Sequence, residues 1–271
     1  MIEVPAELVS LQEWFQGYCC SFYTTDATES RNLFLKEIHT HQVCEAIGKI
    51  AKEEGGSGRE LLLAQVIALF HDLGRFRQYR EYRTFKDSES VNHAALGAKI
   101  LLEEGVLGRF SSHERELIIR AVQLHNVFAL PANLSPEERH FLMLIRDADK
   151  IDIWRVFIEY YSLPEEERAT AVGLGLPDLP GCSGEVLDCL QRGEMVRLAM
   201  LKSLNDFKLL QLSWVYDINF ASSFRLIQQR RIIDQLAETL PNDVRMHAKL
   251  ETLQAFAKRS AERGTDGRSR I

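Results

Sequence analysis

Apolar residues recur along most of this chain at the spacing of one face of an α-helix. Between Val43 and Ile50, for example, the apolar side chains fall at i, i+3, i+4 and i+7, the pattern of an amphipathic helix. Similar stripes run through residues 96–102, 117–124, 141–153 and 195–210. No run of period-two alternation and no Asn-Gly or Asp-Gly hairpin signal interrupts them. The sequence therefore predicts an all-α fold.

A long irregular stretch divides the predicted helices into two groups. Residues 162–184 contain three prolines and four glycines, a composition typical of a linker or of a loop over a site. We expect residues 1–161 to form a helical core with an N-terminal helix, and residues 185–271 to form further helices packed on that core as one unit. Ser135, followed by Pro136 and two glutamates, predicts the start of a helix inside the core.

Composition and charge exclude several classes of partner. The 271 residues are 45% hydrophobic, and the most apolar run, residues 61–70, is too short for a membrane span of about 20 residues. The net charge of −6 disfavours a duplex nucleic acid. Five cysteines without a CxxC pair favour reduced thiols and a cytoplasmic protein. A homo-oligomer is compatible with this composition.

A histidine and an aspartate stand at the end of the most apolar predicted helix. His71 and Asp72 follow residues 67–70, which are all apolar, and Leu73-Gly74 comes next. A buried imidazole and carboxylate are costly unless their polar atoms are compensated, and a divalent cation would compensate both. Gly74 is expected to end this helix in a left-handed conformation. The alternative is a satisfied core histidine beside an aspartate that caps or forms a local salt bridge.

Other predicted helices also carry metal-ligand residue types at a buried end or face. His39 precedes one apolar stripe, His93 opens another helix, and His125 closes a third. Asp149 lies among apolar residues of a fourth. Independent structural accidents at all of these positions are improbable, so we predict a shared metal site. Imidazole and carboxylate donors suit Fe, Mn, Zn, Co or Ni.

Two pairs of neighbouring candidates need to be distinguished. His39 and His41 are about 200° apart on a helix, and only His39 shares the apolar face with Val43, so His41 is expected at the surface. Asp147 and Asp149 are separated in the same way, but both of their helix faces are apolar. Periodicity alone leaves the choice between these two aspartates open.

The order His39, His71-Asp72, Asp149 resembles the H…HD…D signature of the HD-domain metal-dependent phosphohydrolases. The segments similar to the family's motifs are residues 39–43, 70–76 and 147–152. His93 and His125 match the H…HD…H…H…D subgroup, which inserts two further histidines. The resemblance implies a helical bundle with an HD domain, to which the C-terminal helices are additional.

The resemblance also implies a ligand set for two divalent ions that share Asp72. The implied ligands are His39, His71 and Asp149 for the first ion, and His93 and His125 for the second. It selects Asp149 over Asp147, which becomes a candidate for supporting a ligand. In a one-ion member of the family, the two inserted histidines would instead line the substrate pocket.

Cations with aromatic residues between them follow the HD pair. Residues 75–86 contain Arg75, Arg77, Arg80, Arg83 and Lys86. Guanidinium groups match phosphate oxygens in a bidentate way, so we predict that Arg75, Arg77, Arg80 and Lys86 bind substrate. The alternative is a solvated loop with arginine stems lying on aromatic rings.

The family resemblance implies a phosphohydrolase that uses a metal-activated water on a nucleotide or another small phosphate ester. Asp72 is expected to be catalytic, with Arg75 and Lys150 contacting the phosphate or an oxyanion. The acceptor of the water proton is left open among Asp72, Asp147 and Asp152. Two other functions also remain open. A minority of HD proteins with the same six ligands are di-iron oxygenases. Signalling or binding modules, which no longer turn over, usually lack some of the ligands, and none is missing here.

Overall fold

The computed structural model of the chain describes residues 5–164, 175–241 and 244–262, and all regular structure within these ranges is helical. The predicted all-α fold is therefore confirmed. The α-helices are α1 (Ala6–Cys20), α2 (Ala27–Glu53), α3 (Gly58–Phe70), α4 (Gly74–Tyr82), α5 (His93–Glu104), α6 (Ser112–Leu124), α7 (Pro136–Ser162), α8 (Gly184–Arg192), α9 (Leu204–Ser213), α10 (Ala221–Gln229), α11 (Ile232–Glu238) and α12 (Val244–Ala261).

The chain divides into two compact units whose main boundary falls within α7, between Asp152 and Ile153. Of the predicted loop 162–184, residues 165–174 lie outside the described residues, and residues 175–183 have no regular secondary structure. The division at 161 and 185, and the packing of the later helices on the core, stay predictions. None of the described helices combines the length and the apolar character needed to cross a bilayer.

Helix α3 forms the centre of the first unit. Apolar side chains on all of its faces are buried, from Leu62 to Phe70, and α1, α2 and α6 pack around it. A helix that is apolar on every side is stable only when neighbouring helices enclose it. Because the chain leaves α3 at Phe70, the following His71 and Asp72 lie inside the unit and are themselves buried.

The helices that flank α3 follow the predicted pattern. In α2, Val43, Ile47 and Ile50 are buried, and His39 shares their face while His41 is exposed. The predicted phase of this helix is confirmed. The predicted start of α7 is also confirmed, because Ser135 Oγ accepts from Glu138 N and the Glu138 carboxylate accepts from Ser135 N.

Gly74 begins α4, and the expectation that it ends α3 in a left-handed conformation is wrong. The described glycines with positive φ do not include it, and the chain turns through right-handed residues at His71 and Leu73. A Cβ at position 74 would lie 2.1 Å from the carbonyl oxygen of His93 and 2.7 Å from the backbone nitrogen of Gly97. The glycine is needed because α4 and α5 approach each other closely here.

We expect Gly74→Ala to destabilise the protein by about 1–3 kcal/mol or more, since the new methyl group would push α5 away from α4. Urea unfolding would measure the change. The matched control is Gly17→Ala in α1, where a Cβ would meet nothing within 4 Å. That control should stabilise slightly, because alanine favours a helix interior. A Gly74→Ala protein as stable as the control would contradict the close-approach argument.

Candidate metal centre

The structure brings all six predicted metal ligands together in the first unit. They come from different elements: His39 from α2, His71 and Asp72 from the turn after α3, His93 from the first residue of α5, His125 from the residue after α6, and Asp149 from α7. Five of the six are almost fully buried. The Asp149 side chain is the most accessible, at 16% exposed.

One group of donor atoms forms around His39. Its Nε2 lies 3.1 Å from Asp149 Oδ1 and 3.3 Å from Nε2 of His71. The His71 Nε2 is 3.6 Å from the same Asp149 oxygen. Asp72 contributes Oδ2, which is 3.6 Å from Nε2 of His39 and 3.8 Å from Nε2 of His71.

A second group forms on the other oxygen of the same aspartate. Asp72 Oδ1 lies 3.3 Å from Nε2 of His93 and 3.8 Å from Nε2 of His125. The two imidazole nitrogens are 3.1 Å apart. Asp72 therefore lies between the two groups and presents one carboxylate oxygen to each.

These separations fit ligands that share an ion. Metal bonds of about 2.0–2.2 Å in tetrahedral or octahedral geometry put neighbouring donor atoms roughly 2.8–3.6 Å apart. The donor atoms of His39, His71 and Asp72 all lie within 4.8 Å of one another, as do those of Asp72, His93 and His125. The site can thus hold one ion in each group without a large rearrangement.

The other nitrogen of each imidazole is held by a hydrogen-bond acceptor. His71 Nδ1 is 2.7 Å from the carbonyl oxygen of Ala68, and His125 Nδ1 is 2.8 Å from that of Val122. A carbonyl oxygen only accepts, so Nδ1 of both rings carries the proton and donates it. In a neutral ring Nε2 then keeps its lone pair.

Carboxylates hold the remaining two imidazoles, again through Nδ1. His39 Nδ1 is 2.7 Å from Asp152 Oδ2, and His93 Nδ1 is 2.8 Å from Asp87 Oδ2. All four Nε2 atoms consequently point into the centre. Metal-binding histidines in proteins are oriented in this way by a partner on the second ring nitrogen.

The close approach of the imidazole nitrogens calls for a positive charge in each group. The Nε2 atoms of His71 and His125 lie 3.3 Å and 3.1 Å from those of His39 and His93. Lone pairs at such distances repel unless a proton or a bound cation lies between them. The donor set, four imidazole nitrogens and two carboxylates without a thiolate, suits a divalent transition metal.

The ionisation of the carboxylates agrees with metal binding. Burial raises the pKa of Asp72, but the charges of Lys36 and Arg75 hold it well below its usual range. Burial likewise opposes ionisation of Asp149, whose pKa is nevertheless well below the usual range because the imidazoles of His39 and His71 face its carboxylate. Both side chains are therefore ionised, as metal ligands must be.

The histidines of the second group are kept neutral. Burial lowers the pKa of His93, and burial together with neighbouring histidines lowers that of His125 to about 3. His39 differs from them. Burial and Lys36 lower its pKa, but hydrogen bonds with Asp149 and Asp152 outweigh them and raise it.

Comparison with protein-family models matches residues 37–154 to the HD domain. This segment is an HD domain. The family resemblance predicted from the sequence is thereby confirmed, and all six converging residues lie within the matched segment. No curated protein and no solved structure matches the chain.

Several residues that contact the six candidate ligands were not assigned to that role by the sequence. Asp152 was considered only as a proton acceptor, and Asp87 and Lys36 were not singled out. Asp152 lies three residues after Asp149, and Lys36 lies three before His39, so helical spacing could have indicated both. Asp87 lies in a short 3₁₀ turn between α4 and α5, where no periodicity indicates what it contacts.

Arg75 is the only cation of the basic segment 75–86 whose contacts, within the described part of the chain, reach the HD-domain ligands. Its Nε is 3.5 Å from Asp72 Oδ1. Its Nη1 donates to Gln78 Oε1, to Asp87 Oδ1 and to the carbonyl oxygen of Phe85. Arg75 thus joins Asp72 to the loop that carries Asp87, and its predicted contact with substrate stays a prediction.

The other predicted substrate-binding cations make their contacts elsewhere. Arg77 and Lys86 pair with nearby glutamates at 3.1 Å. The Arg80 guanidinium lies 4.4 Å from the ring centre of Phe22, as the alternative of arginine stems on aromatic rings predicts. The structure does not bring these three side chains to the six ligands, and their role in binding substrate stays a prediction.

Two other predicted residues lie on α7 beside Asp149. Asp147 is fully buried, and its predicted role of supporting a ligand stays a prediction. Lys150 Nζ lies 3.4 Å from the carbonyl oxygen of Arg146. Its predicted contact with phosphate stays a prediction as well.

We expect Asp87→Asn to weaken metal binding at the second group about 10- to 100-fold and to spare the first group, because the amide removes the charge that orients His93. Titration of the metal-free protein against a chromophoric chelator would resolve the two affinities. The control is Glu89→Gln, an exposed acid in the same turn that pairs with Lys86. Equal weakening of both groups would show that Asp87 supports the whole domain rather than His93.

Proposed function

We propose that this protein is a metal-dependent phosphohydrolase that acts on a nucleotide or another small phosphate ester. The observation that carries the proposal is the convergence of four imidazole Nε2 atoms on two ionised carboxylates within an HD domain. Many HD domains that keep this ligand set hydrolyse phosphate esters. A signalling or binding module would typically have lost some of these ligands.

Two ions are expected. The first would be held by His39, His71, Asp72 and Asp149, and the second by Asp72, His93 and His125. When bound, a divalent ion supplies Lewis-acid chemistry, because it lowers the pKa of water and offsets charge on a phosphoryl group. Fe, Mn, Zn, Co and Ni all suit the donor set.

The protein's own residues would orient and attract the substrate. The partly exposed side chains next to the ligands include two cations, Lys36 and Arg75, at 17% and 15% exposure. They would favour an anion beside the Asp72 carboxylate, which both of them contact. Asp72 faces the imidazole nitrogens of both groups, which favours it over Asp147 and Asp152 as the group that accepts a proton.

Metal analysis followed by a phosphate-release screen would test the proposal. We expect the purified protein to carry a divalent transition metal, to release phosphate from at least one nucleotide or phosphate ester, and to lose this activity with chelator until metal is restored. Oxygen uptake by an iron-loaded protein without phosphate release would instead indicate a di-iron oxygenase. Metal binding with neither activity would indicate a binding module.

A further inference from the structure

Lys36 contacts the carboxylate shared by the two groups of ligands. It lies on α2 one helical turn before His39, and its Nζ is 2.7 Å from Asp72 Oδ2. Its ammonium also lies 5.6 Å from the ring centre of Phe85. Within the described part of the chain, Asp72 is the only hydrogen-bond acceptor of this ammonium group.

The position of this ammonium conflicts with an ion in the first group. Asp72 Oδ2 is the oxygen that faces Nε2 of His39 and of His71. An ion at bonding distance from that oxygen, about 2.0–2.2 Å, would share it with the ammonium. Because like charges repel, binding of the ion weakens the contact between Lys36 and Asp72.

We propose that Lys36 is an anion-binding residue that transfers from Asp72 to a phosphoryl oxygen of the substrate when the first ion is bound. This inference rests on the proposed function. The side chain is partly exposed, and its flexible stem lets the ammonium move while α2 stays in place. Lysine carries three donors, which suit the oxygens of a phosphoryl group.

Arg75 is less suited to this transfer. Its Nη1 already donates to three acceptors within the protein, and one of these is Asp87, which orients His93. Moving the guanidinium would therefore disturb a ligand of the second ion. Lys36 would give up a single hydrogen bond, that with Asp72, and the first ion would supply the positive charge beside Asp72 in its place.

Removing the charge of Lys36 should weaken anion binding without weakening metal binding. Lys36→Met keeps the unbranched apolar stem of the side chain but removes the ammonium. In the manganese-loaded protein, we expect the Kd for inorganic phosphate to rise about ten- to a hundredfold, the effect of losing one charge-assisted hydrogen bond. In the metal-free protein, the affinity of the first group for manganese should stay equal or become tighter, because a competing cation is gone.

Two further variants serve as controls for these measurements. Lys36→Arg should keep the phosphate Kd within about threefold of the wild-type value, since the charge remains. Lys49→Met lies on the same helix, where Lys49 is exposed and pairs with Glu45, and should change neither affinity. Calorimetric titration with phosphate, competition against a chelator for manganese, and circular dichroism to verify folding complete the experiment.

Either of two results would overturn the inference. An unchanged phosphate Kd in Lys36→Met would show that the ammonium does not contact the anion. A parallel loss of manganese and phosphate affinity would show that Lys36 only supports Asp72. The test of Lys36 can be read whether or not the proposed function is correct. A wild-type protein that binds metal but hydrolyses no ester contradicts that function, whereas the phosphate titration still decides the role of Lys36.

Discussion

Asp72→Asn is expected to abolish metal binding at both groups and to lower the proposed phosphatase activity by at least about a thousandfold. The reason is the position of Asp72, which presents Oδ2 to His39 and His71 and Oδ1 to His93 and His125. An amide offers one oxygen and no charge, so neither group keeps its shared anionic ligand. Metal-ion catalysis contributes several kcal/mol, and each 1.4 kcal/mol or so is about tenfold in rate.

Elemental analysis after dialysis and a phosphate-release assay would measure both effects in the same preparation. Asp178→Asn is the control, because Asp178 is exposed in the irregular segment before α8 and should change neither quantity. Far-ultraviolet circular dichroism should show a helical protein for both variants. Retention of two ions per chain by Asp72→Asn would contradict the bridging role.

The second large effect is expected from substitution of His39, and His41, two residues later, provides the contrast. His39→Ala should abolish binding of the first ion, since it removes a ligand and leaves the buried carboxylate of Asp152 without its imidazole partner. The loss should exceed the roughly 10- to 100-fold that removing an outer partner of a ligand costs.

His41→Ala should leave metal content and activity unchanged. Its side chain is exposed and stacks edge-on against Phe15, with 6.0 Å between ring centres, so we expect a change in the free energy of unfolding within about 0.5 kcal/mol. Chelator competition and urea unfolding of the two variants side by side would measure the contrast. Similar metal loss in both would show that the face of α2 has been assigned wrongly.

The convergence of the candidate ligands could be expected from the sequence, because the burial of each one follows from the apolar pattern of its own helix. A histidine or aspartate on an apolar helix face must be buried, and helical periodicity separates His39 from His41 without any tertiary information. The order of the motifs, which resembles that of the HD family, then indicates which distant segments meet. The same reasoning left Asp147 and Asp149 undecided, because the neighbours of both are buried.

Features that depend on contacts between distant segments could not be predicted in this way. The need for glycine at position 74 comes from the carbonyl oxygen of His93, which the structure brings next to it. Asp87 is identified as the partner of His93 only once the loop between α4 and α5 has its shape. The spacing of cations in 75–86 gave no information on partners, and Arg77 and Arg80 contact side chains of other helices or turns.

The contacts of Arg75 within the protein change the role expected for it. From the sequence, Arg75 was expected to contact phosphate or an oxyanion, because it is close in sequence to the candidate ligands His71 and Asp72. The structure shows a group that holds Gln78, Asp87 and the backbone of Phe85 together. We therefore expect substitution of Arg75 to act partly through the position of His93, whereas Lys36 is the cation with a single bond to release.

A crystal structure of the protein grown with manganese in excess, with anomalous scattering used to locate the ions, would test the central claim most directly. We expect two peaks, one on each side of the Asp72 carboxylate. One should lie about 2.0–2.2 Å from Nε2 of His39 and His71, and the other at the same distance from Nε2 of His93 and His125. A single peak, with the His93 and His125 nitrogens well beyond bonding distance, would contradict the two-ion centre.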